Sequence, residues 1–289
     1  FVGISQTVYV TNTYDSGPGS LRDAVINATD GTTIRFDESI NNQTITLTSN
    51  LTSTANIRIV GNADDQTSSL IKFDNSFFSY GELIIDSIDI HPNSLQDFVF
   101  FHIYNDFQFI NSYAYNIESS AKIFSIQSEN SDININIQNS SFINIPGKLF
   151  YLNSPNINFD LSFCYGNNIN TFIDDFILNG SSDISISYSE FNNSKIITNT
   201  AIEKLEILSS TFNNFDVENS YAINVENYFE GNEMILDIDS VNFSNSNIKL
   251  FNNIYESYAN LDISNSTFNS GEITFCGFGN LNNVNINNF

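Results

Sequence analysis

Through the greater part of the chain apolar and polar residues alternate in short runs. "ININIQNSSFINI" from Ile133 and "LDIDSVNFSNSNI" from Leu236 are the clearest examples. A period of two places successive side chains on opposite faces of a strand, so each run predicts a short strand with one buried face. The runs share a frame: an apolar residue, any residue, an apolar residue, and then an aromatic five positions later. Phe142, Phe191, Phe212, Phe243 and Phe268 fill the aromatic place, and weaker copies put Ile90, Ala114 and Cys164 there. The copies follow one another at irregular steps of about 25 residues, with the variable excess between them. No single copy can bury its apolar face alone, whereas stacked copies share a continuous core. The fold expected is therefore all-β: a right-handed, single-stranded parallel β-helix of roughly ten coils, with three short strands in each. The aromatics form a core stack. Two positions beyond them, Asn116, Asn144, Asn193, Asn214 and Asn245 fall at equivalent turns, where asparagine tolerates left-handed backbone and its amide can bond to the next asparagine.

One stretch departs from this pattern. In "DSGPGSLRDAVINATDGTTIRF", from Asp15, the apolar residues Leu21, Ala24 and Val25 recur at helical spacing. Ser20 is placed as an N-cap and Asp23 as the acidic partner of a capping box, after a turn made by Gly17 and Gly19. A helix over 20–29 is expected. The open first coil of a solenoid exposes apolar core and unpaired strand groups, and an amphipathic helix can cover both. Arg22 is expected to act as an ion pair or as an anchor between helix and first coil. This gives a cap over 1–50 that runs without a linker into repeats over 51–289, one domain overall.

Residues 10 to 62 carry a resemblance. Asp15, Gly17, Gly19, Ser20, Leu21, Arg22 and Ala24, with Val25 in an isoleucine place and then Gly31, Ile34 and Phe36, resemble the N-terminal signature of secreted β-helix proteins of the adhesin-like and polymorphic outer membrane protein type. The resemblance implies a capped, surface-displayed solenoid of the pectin-lyase-like class. It does not extend to the Gly-Gly-Ala-Ile repeats of that group, which this chain lacks.

Charge narrows the partners. Asp and Glu number 33 against 9 Lys and Arg, giving a net charge of −24. Nucleic acids and anionic membrane surfaces are bound by clustered cations, so both are excluded as partners. No apolar run is long enough to span a membrane as a helix. The chain opens on Phe1, which suggests removal of a signal peptide or upstream region, and "LNNVNINNF" ends within a coil, which suggests continuation into, or docking on, another segment. Asn42, Asn50, Asn139, Asn179, Asn192, Asn242 and Asn265 begin Asn-x-Ser/Thr and permit glycosylation. Cys164 and Cys276 lie four coils apart, about 19 Å along the axis, and are expected as free, buried thiols.

Candidate chemistry is sparse. A lyase acting on an acidic polysaccharide needs a base beside a carboxylate, usually with Ca²⁺ held by acids from neighbouring coils. Lys72, Lys122, Lys148, Lys195, Lys204 and Lys249 occur singly, with no evident acidic partners at a shared repeat position. Asp64/Asp65 and Asp174/Asp175 are adjacent pairs that suit solvated turns. No cofactor is expected apart from Ca²⁺ between outward acids such as Asp237 and Asp239, or Glu203 and Glu206. With no Trp and the Phe positions assigned to the core, exposed aromatic platforms would have to come from Tyr113, Tyr115, Tyr151, Tyr165, Tyr188, Tyr255 or Tyr258. The expectation is a non-enzymatic extracellular protein of a cell surface or surface layer. It would act as an adhesin or scaffold and meet a neighbouring or host cell-surface molecule, a glycan, or copies of itself. The alternative is a polysaccharide-binding or polysaccharide-degrading β-helix.

Overall fold

The structure, a computed structural model, describes residues 6–62, 69–92, 99–116, 122–128, 132–154, 156–175, 181–198, 202–213, 222–227, 233–246, 248–252, 258–270, 273–277 and 280–287. It is a parallel β-solenoid. A twelve-stranded first sheet runs from Thr7–Val10 to Asn280–Asn287, each strand one coil on from the last. Most coils place two further short strands in an eighteen-stranded second sheet, and two coils place there one long strand each, Ser141–Asn153 and Tyr165–Asp175. Pairing is parallel and in register, as between Ile133–Gln138 and Asn156–Ser162, where Ile137 faces Leu161. Among the described residues no helix is long and apolar enough to cross a membrane.

The register shifts between Ile145 and Lys148, between Ser182 and Asp183 and between Ala259 and Asn260; where it holds, like side chains stack on like. Ile137, Leu161, Ile186, Ile207, Ile238 and Ile263 form one buried column of the first sheet. Each such side chain contributes roughly 1.5–3 kcal/mol by leaving water. Phe191, Phe212, Phe243 and Phe268 stack with centroids 5.1, 5.0 and 4.7 Å apart.

The coil containing Cys164 corrects the expected register by two residues. Gly166 pairs with Phe142 on one side and with Phe191 on the other, so glycine occupies the aromatic place. A Cβ there would lie 2.8 Å from Phe191 Cδ1, because other side chains have taken the space. Phe172, six residues further along the same long strand Tyr165–Asp175, bridges the gap, 5.4 Å from Phe142 and 5.1 Å from Phe191.

Two turn ladders close the coils. In the first, Asn116, Asn144, Asn168, Asn193 and Asn245 all have φ between 46° and 55°. Asn144 Nδ2 donates to Asn116 Oδ1 at 2.9 Å, Asn168 to Asn144 at 3.0 Å and Asn193 to Asn168 at 2.9 Å. Asn168 belongs to the coil whose register was misassigned; Asn214 lies outside the described residues. The second ladder was not anticipated. Directly after the first-sheet strand, a left-handed residue is followed by a buried small residue, in the column Ser112, Ser140, Cys164, Ser189, Ser210, Val241 and Ser266. Ser189 Oγ accepts from the Cys164 N–H at 3.0 Å and donates to Ser187 O at 2.8 Å, so a single hydroxyl satisfies backbone in two coils. Cys164 Sγ takes the serine role, 3.2 Å from Ser162 O.

The cap helix spans Leu21–Ile26, shorter than the expected 20–29. Asn27 ends it, its Nδ2 donating to Asp23 O at 2.9 Å, and Gly31 at φ 81° turns the chain into the strand Thr32–Phe36. Ser20 Oγ accepts from the Asp23 N–H at 3.1 Å, and Leu21, Ala24 and Val25 are buried. Gly17 and Gly19 are left-handed at φ 96° and 80°. Arg22 pairs with Asp15 at 3.0 Å and donates to Ser49 O and Asn50 O at 2.8 and 2.6 Å, fastening the helix to the chain entering the next strand.

Candidate functional site

The outer face of the first sheet is built from the polar residues of the alternating runs. In one outward column Asn134, Asn158, Asp183 and Lys204 succeed one another; in the next stand Asn136, Asp160, Ser185 and Glu206, followed by Asp237 and Asp262. Between Asn134 and Glu206 the two columns form the walls and floor of an open cleft of about 330 Å³. Asn158 Nδ2 donates to Asn134 Oδ1 at 3.0 Å, and Asn134 is held in turn by the Asp106 carboxylate. These amides are fixed by the strand register and offer a set of donors and acceptors suited to hydroxyl groups.

Its acids differ in environment. Neighbouring bulk, and then Glu206, push Asp160 above the ordinary carboxyl range. Desolvation and Glu203 do the same to Asp183, against the opposing pull of Lys204. Asp237 is raised by desolvation and then by Glu206 and Asp262. Lys204 Nζ lies 3.1 Å from Glu206 Oε1, a cation set directly beside one of the carboxylates. Asp160 and Glu206 are two rungs apart in one column with Ser185 between them, about 10 Å from backbone to backbone at the spacing of parallel strands. Among the described residues no group of three or more His, Cys, Asp or Glu side chains converges as a metal site.

A second constellation lies on the other sheet. Lys122 and Lys148 face each other on adjacent strands, and Lys148 forms an ion pair with Asp174 of the following one. Lys122 Nζ sits 3.3 Å from the centroid of the Tyr151 ring; burial and then Lys148 lower its pKa. His102 stacks on Phe78 at 4.5 Å, and its pKa is depressed by burial and by Lys122. The two amines are engaged by an aromatic face and a carboxylate, so this group reads as a local packing and charge cluster.

Two expectations are corrected here. The lysines do not all stand alone, since Lys122 and Lys148 share a rung position and Lys204 sits among acids. Asp174 is not a solvated turn residue: it is 3% exposed and paired with Lys148. Asp64 and Asp65 lie outside the described residues. Of the sequons, Asn42, Asn50, Asn139, Asn242 and Asn265 are exposed, Asn192 is half-buried and Asn179 is outside the described residues. Cys164 is free and buried, and burial pushes its pKa up to about 12; the Cys276 side chain is not among those described. The sequence points to Lys204 and Glu206 singly; Asn134, Asn158, Asp160 and Asp183 escape it because neighbours in the cleft are a full coil apart in the chain.

No protein-family model matches the chain, and no curated protein resembles it closely in sequence. Among solved structures it is similar to the PL6 family alginate lyase AlyGC, with a TM-score of 0.61 and 12% identity over 98% of this chain. The parallel β-helix is therefore shared with a polysaccharide lyase. The chain spans 39% of that protein's length. The expectation of a non-enzymatic protein does not stand: this fold serves a polysaccharide-cleaving enzyme, and the supposed lack of a base beside acids is overturned by Lys204, Glu206 and Asp160.

Proposed function

We propose that this chain binds a polysaccharide across the first sheet and cleaves it in the cleft between Asn134 and Glu206. The observation that carries the reading is the pair Asp160 and Glu206, two carboxylates in one outward column with unlike surroundings. The shared fold with a polysaccharide lyase supports the substrate class. A net charge of −24 and a cleft walled by carboxylates favour a neutral glycan over a polyanion.

The reaction we propose is hydrolysis, with the two carboxylates on strands two rungs apart, about 10 Å between backbones. Inverting glycosidases place their two carboxyl groups about 6.5–9.5 Å apart, leaving room for a water on the far side of the sugar. Asp160, protonated at higher pH than an ordinary carboxyl, gives its proton to the glycosidic oxygen as the bond to the anomeric carbon breaks. Glu206, 3.1 Å from the Lys204 ammonium, takes a proton from the water that attacks that carbon. The products are a hemiacetal of inverted configuration and a free alcohol, with the proton now on Glu206. Asn134 and Asn158 position sugar hydroxyls.

The test is release of reducing ends from neutral β-glucan, mannan, xylan and galactan, with alginate and polygalacturonate followed in parallel by the ultraviolet absorbance of unsaturated uronate. Asp160→Asn and Glu206→Gln should each lower cleavage of the active polymer by about 10² or more. No reducing ends from any neutral polymer, or full activity in both variants, would overturn the assignment.

A further inference from the structure

The turn that follows each first-sheet strand carries a second departure from the repeat. Eight successive coils place a left-handed residue there, at φ between 46° and 59°. Six are Ser87, Asn111, Asn139, Ser209, Ser240 and Asn265, small polar residues suited to such a turn. The other two are Phe163 at φ 54° and Tyr188 at φ 49°. All eight make the same backbone bond to the next coil, at 3.1 Å for Phe163 N to Ser187 O and 3.0 Å for Tyr188 N to Leu208 O. A bulky side chain at positive φ is uncommon and strained, without any gain in the turn's own hydrogen bonding.

Burial does not repay that cost. Phe163 is 54% exposed and Tyr188 59% exposed, the former a rare exception to the buried phenylalanines of the core. Their rings lie parallel, centroids 5.0 Å apart with 7° between planes, and give two adjacent coils one flat aromatic face. These are the coils whose strands supply Asn158 and Asp160, and Asp183 and Ser185, to the cleft. Phe163 is three residues beyond Asp160 and Tyr188 three beyond Ser185, about 10 Å along the strands, a distance on the scale of a disaccharide.

We infer that Phe163 and Tyr188 form an aromatic platform that stacks on a pyranose ring of the glycan chain, a binding subsite at the rim of the cleft. The inference rests on the proposed function. It adds a residue-level prediction that the catalytic pair does not make: the platform governs affinity and leaves bond cleavage to Asp160 and Glu206. A neutral sugar ring offers an apolar face to the rings while its hydroxyls reach the amides of the cleft, and a flat aromatic pair can take that face.

The test uses the substitutions that the repeat itself supplies. Phe163→Asn and Tyr188→Asn, singly and together, place at these turns a residue that other coils already carry, so the melting temperature should hold or rise. Phe163→Leu keeps an apolar side chain while removing the flat ring. Affinity electrophoresis against β-glucan, mannan, xylan and galactan reads binding directly, with Asp160→Asn as a background that binds without cleaving. Loss of affinity by about fivefold or more in the double variant, with unchanged or raised melting temperature, is expected. Wild-type affinity in the double variant would overturn the platform while leaving the cleft in place. Failure of the parent chain to bind any of these polymers would overturn both.

Discussion

Phe212→Ala tests how a solenoid core of stacked rings holds together. Phe212 is 1% exposed and lies between Phe191 at 5.1 Å and Phe243 at 5.0 Å, with planes within 17° and 9° of parallel. Truncating a buried phenylalanine costs about 3–5 kcal/mol, the sum of lost transfer energy and the cavity left behind. The upper half of that range applies because the hole cannot close easily. Thr211 and Asn213 are held in register by strands on both sides, and the coils cannot approach more closely than their hydrogen-bonded spacing. Phe268→Ala is the internal comparison: its ring is partly buried, so the cost should be about 2 kcal/mol. Phe212→Leu, which refills much of the volume, should cost about 1.5 kcal/mol. Urea unfolding followed by far-ultraviolet circular dichroism and tyrosine fluorescence is suitable, since the chain has 13 Tyr and no Trp. Equal costs for Phe212→Ala and Phe268→Ala, at unchanged denaturant slope, would refute a core in which ring stacking and rigid coil spacing set the energetics.

Four further outcomes follow from individual residues. Arg22→Ala should release the cap locally, speeding amide exchange in Leu21–Ile26 and around residues 48–53 by about 2–3 kcal/mol while the central coils stay protected; uniform destabilisation would show that the anchor is not local. Cys164→Ser should change stability by less than about 1 kcal/mol, because serine fills that column in the coils on either side, and the native thiol should resist alkylation until the chain unfolds. His102 has a folded pKa below its unfolded value near 6.5, so the unfolded chain binds the proton more readily and stability falls as pH drops below that value; His102→Phe should melt less steeply between pH 6.5 and 5 than the parent. Asp237 has the opposite sign: its folded pKa is raised, so stability falls as pH rises from the unfolded carboxyl value through the folded one. Asp237→Asn should therefore raise the melting temperature at pH 7, with the gain disappearing below about pH 3.8.

The solenoid, its strand frame, the asparagine turn and the covering helix could be read from the chain because each depends on local pattern. Register within the Cys164 coil could not. In "LSFCYGNN" a shift of two residues preserves which side chains point inward, so alternation alone does not separate Cys164 from Gly166 at the aromatic place. Spacing held the answer: with Gly166 in the column, the neighbouring steps approach the mean and Asn168 falls two positions on, joining its ladder. The serine column stayed hidden because serine is frequent throughout, so its recurrence carries little contrast. The cleft was illegible for another reason. Asp160, Ser185 and Glu206 become neighbours only through strand pairing, and a misplacement of one coil moves each of them along the face.

A repeat supplies its own control, because every coil offers the same backbone environment to a given column. Departures from a column's usual residue then divide by whether the surroundings compensate. Cys164 replaces serine and keeps the bond to the carbonyl two residues back; Gly166 replaces phenylalanine, and Phe172 occupies the vacant space. Both are structural substitutions absorbed by their neighbours. Phe163 and Tyr188 are of the other kind, exposed rings on strained turns where six other coils use serine or asparagine. Uncompensated departures lower stability, so their persistence needs a return outside the fold. The coils bearing these two rings lie in succession and carry Asp160 and Ser185 of the same cleft. Chance would scatter such costs along the solenoid; a single bound chain crossing these coils would gather them as they are found.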